Sequence, residues 1–131
     1  MKQENIKNAY YVLKRFSTMQ FKVKDAFGIY KLLKELEPSI NFAIEREQKM
    51  VEQYNGTINP DGTISFIHGD TDEDKRKGME NFIKFKKEMD EIAAMDIDLD
   101  FSPITLAYDS LGDQTISPND LMSLEGFVSF E

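Results

Sequence analysis

The side chains that could do chemistry are concentrated in the stretch NPDGTISFIHGDTDED, which contains several carboxylates and the only histidine of the chain. An EF-hand calcium loop needs oxygen ligands at positions 1, 3, 5 and 12, with a glycine at position 6. A loop that starts at Asp70 has Lys75 in place of that glycine and Asn81 in place of the closing glutamate. A loop that starts at Thr57 keeps the glycine but closes on His68. The pattern therefore favours a hairpin and a linker over a calcium site.

His68 could act as a base or as a metal ligand, because neutral imidazole does both near pH 7. A zinc site, however, needs several nitrogen or sulfur ligands, and the chain has one histidine and no cysteine. The phosphate-binding and nucleophile motifs GxxxxGK[ST], GxGxxG and GxSxG do not occur. We therefore predict no catalytic residue, no metal ligand and no cofactor.

Three aspartates alternate with apolar residues in the sequence MDIDLDF. They are Asp96, Asp98 and Asp100. Alternation of this kind predicts a half-buried strand with the carboxylates on one face, about 7 Å apart. Such a row could hold Mg²⁺ for phosphoryl chemistry, but no phosphate-positioning loop lies near it. The pattern favours a face that meets water or lysines, and it makes the row a candidate for binding a protein partner.

Three stretches have the three- and four-residue apolar spacing that is typical of amphipathic helices. They span approximately residues 5–18, 25–55 and 79–95. Asp25 is the candidate N-cap of the second helix, and Phe27 and Tyr30 belong to its predicted apolar face. Pro38 should end or kink this helix, because proline lacks the backbone donor.

Turn and capping residues place the remaining elements. The sequence NPDG between two β-prone runs predicts a tight hairpin, and the charged DTDEDKRKG stretch after it predicts a mobile connection. The alternating FKVK stretch fits a short strand or an extended linker. Ser117, Pro118 and Asp120 predict the start of a short last helix that Gly126 ends.

The chain closes with a hydrophobic tail. Phe127, Val128 and Phe130 are too apolar to remain in water, so we expect them to pack on the core or on a partner. Together with the three aspartates, they form the predicted partner-binding set.

Composition limits the classes of protein that fit. The 131 residues suit one domain, and the absence of cysteine fits a reducing compartment. The net charge is −8, and residues 88–131 contain eleven acidic residues and no basic one. Acidic surfaces repel phosphate backbones, so we expect no direct nucleic-acid binding. The amino end has no signal-peptide core, and no window has the roughly 18 apolar residues of a membrane span. We therefore expect a cytoplasmic or virion-associated protein.

Four features together carry a resemblance. They are the helix KDAFGIYKLLKELEPSINFAIEREQKMVEQYNG, a hairpin with a DG turn, the helix NFIKFKKEMDEIAAMDIDLDF that runs into a strand, and the ending ISPNDLMSLEGFVSFE. Their order resembles small bacteriophage and prophage proteins of Gram-positive hosts that are grouped as a family of unknown function. The resemblance covers roughly residues 24–131. It implies a phage genome as the source and a role in particle assembly or host interaction, and it assigns no functional residue.

We predict an α+β fold in a single domain, residues 1–131, with long helices packed antiparallel, a small β-hairpin and edge-strand sheet, and a short C-terminal helix. The expected function is that of a non-enzymatic phage accessory protein that acts by protein–protein interaction in virion assembly or structure. The alternative is a phage-encoded acidic inhibitor of a host protein, for example one that binds nucleic acid. A third function is that of a small metal-dependent hydrolase. The expected partner is a phage structural protein, a host protein or a second copy of the chain, with no membrane.

Overall fold

Four α-helices and two small pairs of strands form the fold in the computed structural model, which describes residues 1–131. In chain order the elements are α1 (Gln3–Phe16), α2 (Val23–Gln53), β1 (Thr57–Ile58), β2 (Ile64–Ser65), α3 (Asp72–Ala93), β3 (Ile104–Leu106), a 3₁₀ helix (Tyr108–Leu111), α4 (Pro118–Leu124) and β4 (Val128–Phe130). The strands β1 and β2 pair antiparallel, and β3 and β4 pair parallel. The fold class is α+β, as predicted. No helix is both long enough and apolar enough to cross a membrane.

The chain divides into two compact units. Unit 1 comprises Met1–Asn41 and Asp96–Glu131, and unit 2 comprises Phe42–Met95. The helix α2 therefore contributes its first part to unit 1 and its last part to unit 2. The prediction of a single domain stays a prediction.

The first helix of unit 1 follows its predicted apolar stripe. Ile6, Ala9, Leu13 and Phe16 recur every three or four residues, and all four are buried. The helix packs against α4, where the Arg15 guanidinium lies 2.5 Å from the Asp120 carboxylate. The Ser117 hydroxyl accepts from the amide of Asp120 at 3.1 Å, so the predicted cap of α4 is confirmed. The predicted end is confirmed as well, since Gly126 follows α4 with a φ of 85°.

The start of α2 differs from its prediction. The helix begins at Val23, so the strand or linker predicted at FKVK is wrong for its last two residues, and Asp25 lies in the first turn instead of capping it. The carboxylate of Asp25 accepts from the Ser110 hydroxyl at 2.7 Å. The amide of Ala26 donates a hydrogen bond to the carbonyl of Lys22 at 2.9 Å, so the helix begins before Asp25. The Asp25 side chain therefore makes a tertiary hydrogen bond instead of capping the helix.

Pro38 neither ends α2 nor divides it, because the helix is continuous to Gln53. Proline removes one helical hydrogen bond, here to the carbonyl of Lys34, at a cost of about 3 kcal/mol. Lys34 is exposed, so water reaches that side of the helix, while Leu36 and Ile40 anchor the opposite side in the core. Burial on both sides of the proline offsets its cost. The predicted end of the helix at Pro38 is wrong, and the alternative of a kink stays a prediction.

Unit 2 contains the predicted hairpin and a longer α3 than predicted. The charged stretch expected to be a mobile connection forms the first turns of α3, which begins at Asp72. The Thr71 hydroxyl accepts from the amide of Asp74, and three acidic residues in the first turn suit the positive end of the helix dipole. Near the end of α2, the Tyr54 hydroxyl donates to the Glu88 carboxylate of α3 at 2.8 Å. This hydrogen bond raises the pKa of Tyr54.

Candidate functional site

The three candidate aspartates lie on an extended segment that is not a strand of a sheet. Its only ladder contact is a single bridge between Lys2 and Asp96, so the predicted acidic strand is wrong. A strand needs a hydrogen-bonded neighbour along its length, and the ladder with β4 begins only at Ile104. The predicted alternation of burial is nevertheless present. Asp96, Asp98 and Asp100 are exposed, whereas Ile97, Leu99 and Phe101 pack partly buried against the core of unit 1.

The aspartate row is a solvent-facing acidic edge. Across the whole chain, no three histidine or carboxylate side chains come together in a group that could hold a metal ion. The end of the segment is fixed to α2, because the amide of Ser102 donates to the Glu35 carboxylate at 2.9 Å. The role of the row in partner binding stays a prediction.

Several side chains of the candidate calcium stretch form hydrogen bonds within the turn, the hairpin and the helix cap. The Asp61 carboxylate accepts from the hydroxyl of Thr63 at 2.6 Å and from its amide at 3.0 Å. These hydrogen bonds hold the pKa of Asp61 below its usual value, because they stabilise the ionised carboxylate. The Nε2–H of His68 donates to the carbonyl of Asn55, which binds the end of the hairpin to the end of α2. Each of these groups has a structural partner.

The hydrophobic tail packs on the core of unit 1. Phe127 is only 1% exposed, and its ring stacks on Phe101 with the centroids 4.9 Å apart. Val128 is buried, and Phe130 is partly buried beside Tyr108. Both belong to β4, which pairs with β3. The tail was expected to pack either on the core or on a partner, and it lies on the core. A partner could contact Phe127 or Val128 only if these side chains left the core.

The structure exposes a surface on α2 that the sequence pattern did not single out. Two apolar stripes run along the first half of this helix. The aliphatic one is buried and consists of Ile29, Leu32, Leu36 and Ile40. The other contains Val23, Phe27 and Tyr30, which are 86%, 63% and 57% exposed. The prediction placed Phe27 and Tyr30 on the buried face, and this is wrong. The sequence of the helix contains both stripes, and no signal within the helix decides which of them is buried.

A second apolar surface lies on α3 in unit 2. Met79, Phe82 and Ile83 are neighbours on one face of the helix and are 49%, 41% and 60% exposed. Beside them a shallow hollow of about 340 Å³ is lined by Ile64 and Ile67 as well as by Met79 and Phe82. The core of unit 2 adjoins this surface, because the ring of Phe82 lies edge-on to the core residue Phe66 with the centroids 5.9 Å apart. Phe82 and Phe85 are three residues apart, so helical spacing alone would place both on the buried face, and the exposure of Phe82 shows that it lies at the edge of that face.

Comparison with protein-family models, with curated proteins and with solved structures gives no match for this chain.

Proposed function

We propose that the protein is a non-enzymatic phage accessory protein that binds another protein during particle assembly or as part of the particle. The observation that carries this proposal is the exposed stripe of Val23, Phe27 and Tyr30 on α2, which we call the aromatic stripe. The rings of Phe27 and Tyr30 lie 6.5 Å apart and form one continuous apolar surface.

The chemistry of the aromatic stripe suits a protein partner. Aromatic residues are enriched at protein–protein interfaces, where their large side chains supply much of the binding energy at a low cost in conformational entropy. The neighbouring Lys31 and Lys34 are exposed on the same helix. A partner with an apolar centre and an acidic rim would therefore match both the rings and the charges around them.

The source and the place of action rest on the resemblance of the chain to phage and prophage proteins. A protein of this kind acts in the cytoplasm of the infected host or in the assembled particle. Its partner in this proposal is a structural protein of the phage.

The acidic inhibitor remains a second candidate, because one specific feature favours it. Asp96, Asp98 and Asp100 are all exposed, and only Asp96 has a cationic group beside it, the amino group of Met1 at 3.9 Å. An edge of this charge would suit a host protein with a basic binding surface. The hydrolase would use the same carboxylates, and it stays a prediction.

A capture experiment from phage-infected host lysate tests the proposal. Tagged wild-type protein should recover structural proteins of the phage, identified by mass spectrometry. The double variant Phe27→Ala/Tyr30→Ala should recover at least about tenfold less, because losing a central aromatic residue of an interface costs about 2 kcal/mol or more. Both side chains are more than half exposed, so the variant should remain folded.

The matched control is Leu121→Ala/Met122→Ala, which removes two exposed apolar side chains from α4 in the same unit. It should recover the same phage proteins as the wild type. Equal recovery by the aromatic double variant and the wild type would refute binding at the aromatic stripe. If the variant with asparagine at all three aspartates loses a single host protein, and the aromatic double variant retains it, the inhibitor function is correct instead.

A further inference from the structure

The outer face of α3 has an ordered sequence of charged and apolar residues. Lys75 comes first, then the apolar group of Met79, Phe82 and Ile83, and Asp90 follows beyond them. Their spacing places them on one stripe of the helix. All five side chains are exposed. We call this set the α3 face.

The α3 face is self-complementary in one orientation only. Lys75 and Asp90 lie equally far from the midpoint between Phe82 and Ile83. If two copies of α3 pack antiparallel about that midpoint, Lys75 of each copy faces Asp90 of the other, and the apolar groups meet at the centre. Parallel packing would instead place like charges opposite each other, which is unfavourable.

We propose that the α3 face binds a second copy of this chain as an antiparallel, two-fold symmetric pair of helices. Two-fold pairing uses the same surface on both copies, which is why this order of charges suits it. The side chain of Lys86 lies on the same stripe, where its aliphatic stem can cover Met79 of the second copy while its ammonium group stays beside Asp90 of its own chain, 3.4 Å from that carboxylate.

The small core of unit 2 supports the same conclusion. Only Met50, Val51, Phe66 and Phe85 form its buried cluster. Pairing at the α3 face would remove three more large apolar side chains from water. One helix face is small beside the roughly 1,200–2,000 Å² of stable interfaces, so the dimer should be weak and dependent on concentration.

Sedimentation equilibrium of the full chain tests this proposal. The wild type should pass from monomer to dimer between about 1 µM and about 1 mM, the range in which a small interface is expected to associate. Ile83→Asp should raise the dissociation constant at least about tenfold, because it buries a charge at the centre of the pair. Ile83 is mostly exposed, so the monomer should keep its helical circular dichroism.

A charge exchange tests the orientation. Lys75→Asp alone should weaken the dimer, since it places two acidic side chains opposite each other, and Lys75→Asp/Asp90→Lys should restore it. Lys84→Asp makes the same charge change at an exposed position outside the α3 face, and it should leave the dimer unchanged.

A chain that stays monomeric over the whole concentration range would overturn the proposal, as would a dimer that Ile83→Asp does not weaken. Failure of the double charge exchange to restore the dimer would overturn the antiparallel orientation. The test is independent of the proposed function, since Ile83→Asp lies in unit 2 and the aromatic stripe lies in unit 1.

Discussion

Thirteen hydrophobic side chains are buried in the core of unit 1, whereas four are buried in unit 2. The first core is built from three helices and the parallel strand pair. Its members include Leu13 of α1, Leu32 of α2, Leu124 of α4 and Leu106 of β3. The second core lies among the end of α2, the hairpin and α3. Smaller units bury a smaller share of their surface, so unit 2 must obtain its stability in another way.

The glycines indicate what stabilises unit 2 besides its small buried core. A Cβ added to Gly78 of α3 would lie 2.6 Å from the side chain of Ile67 and 2.7 Å from the carbonyl oxygen of Phe66. The helix therefore approaches the hairpin backbone as closely as a glycine permits. In unit 1, the corresponding distance from Gly28 of α2 to the side chain of Ile104 is 3.7 Å, which is ordinary contact. Unit 1 depends on many side chains, and unit 2 depends on a close approach of backbones.

The largest expected effect comes from removing one aromatic ring from each core. Phe127→Ala in unit 1 should cost about 3–5 kcal/mol of unfolding free energy, because it leaves a cavity beside Phe101. Phe85→Ala in unit 2 should cost less, since this ring is 8% exposed, against 1% for Phe127, and the smaller cluster around it can relax further into the space. Urea denaturation followed by circular dichroism measures both. Equal costs would contradict the contrast between the two cores.

An effect of intermediate size on the free energy of unfolding tests the close approach of α3 to the hairpin. Gly78→Ala should destabilise the protein by about 1–3 kcal/mol, because the new methyl group overpacks the contact with the hairpin. In an ordinary helix position the same change stabilises by up to about 1 kcal/mol. Gly28→Ala in α2 is the matched control, and it should be neutral or stabilising. The melting temperature should therefore fall for Gly78→Ala and stay the same or rise for Gly28→Ala, and a fall in both variants would refute this difference.

The smallest effect concerns the ion pair between α1 and α4. The Arg15 guanidinium beside Asp120 holds the pKa of that carboxyl below its usual value. The stabilisation is therefore present above the unfolded-state pKa of about 3.9, and it is lost as the pH falls through the lower folded-state pKa. Asp120→Asn should cost roughly 0.2–1 kcal/mol at pH 7, as expected for an exposed pair.

The pH dependence provides the check on this ion pair. The difference in unfolding free energy between wild type and Asp120→Asn should shrink as urea denaturation is repeated at pH values falling from about 3.9 through the lowered folded-state pKa, because the wild-type carboxyl then becomes neutral as well. A difference that stays constant over this range would show that hydrogen bonding or packing, and not charge, is what the substitution removes.

Local signals in the sequence predicted several elements correctly. The periodic stripe of α1, the NPDG turn and the cap at Ser117 are each decided within a few residues of the chain. The exposed aspartates of the MDIDLDF segment were also predictable, because alternation fixes which side of an extended segment meets the core. Whether that segment pairs with a strand depends on residues far away in sequence. The segment's own sequence therefore could not show that it remains unpaired.

The missed surface on α2 has the same kind of cause. A helix with two apolar stripes can bury either, and the choice depends on the elements that pack on it. Gly28 lies beside Ile104, and the aliphatic stripe next to it is the one that is buried. Phe27 and Tyr30 then remain in solvent, where they carry the proposed function.

The sequence by itself determined the helices, the hairpin, the acidic character of the C-terminal half and the absence of cysteine chemistry, since these follow from composition and from interactions within a few residues. Only the tertiary structure decided that α2 continues through Pro38, that β4 pairs with β3 and that Phe127 lies in a core. Each of these outcomes depends on burial against residues distant in sequence. Such burial can offset a local penalty of a few kcal/mol, such as the lost hydrogen bond at a proline.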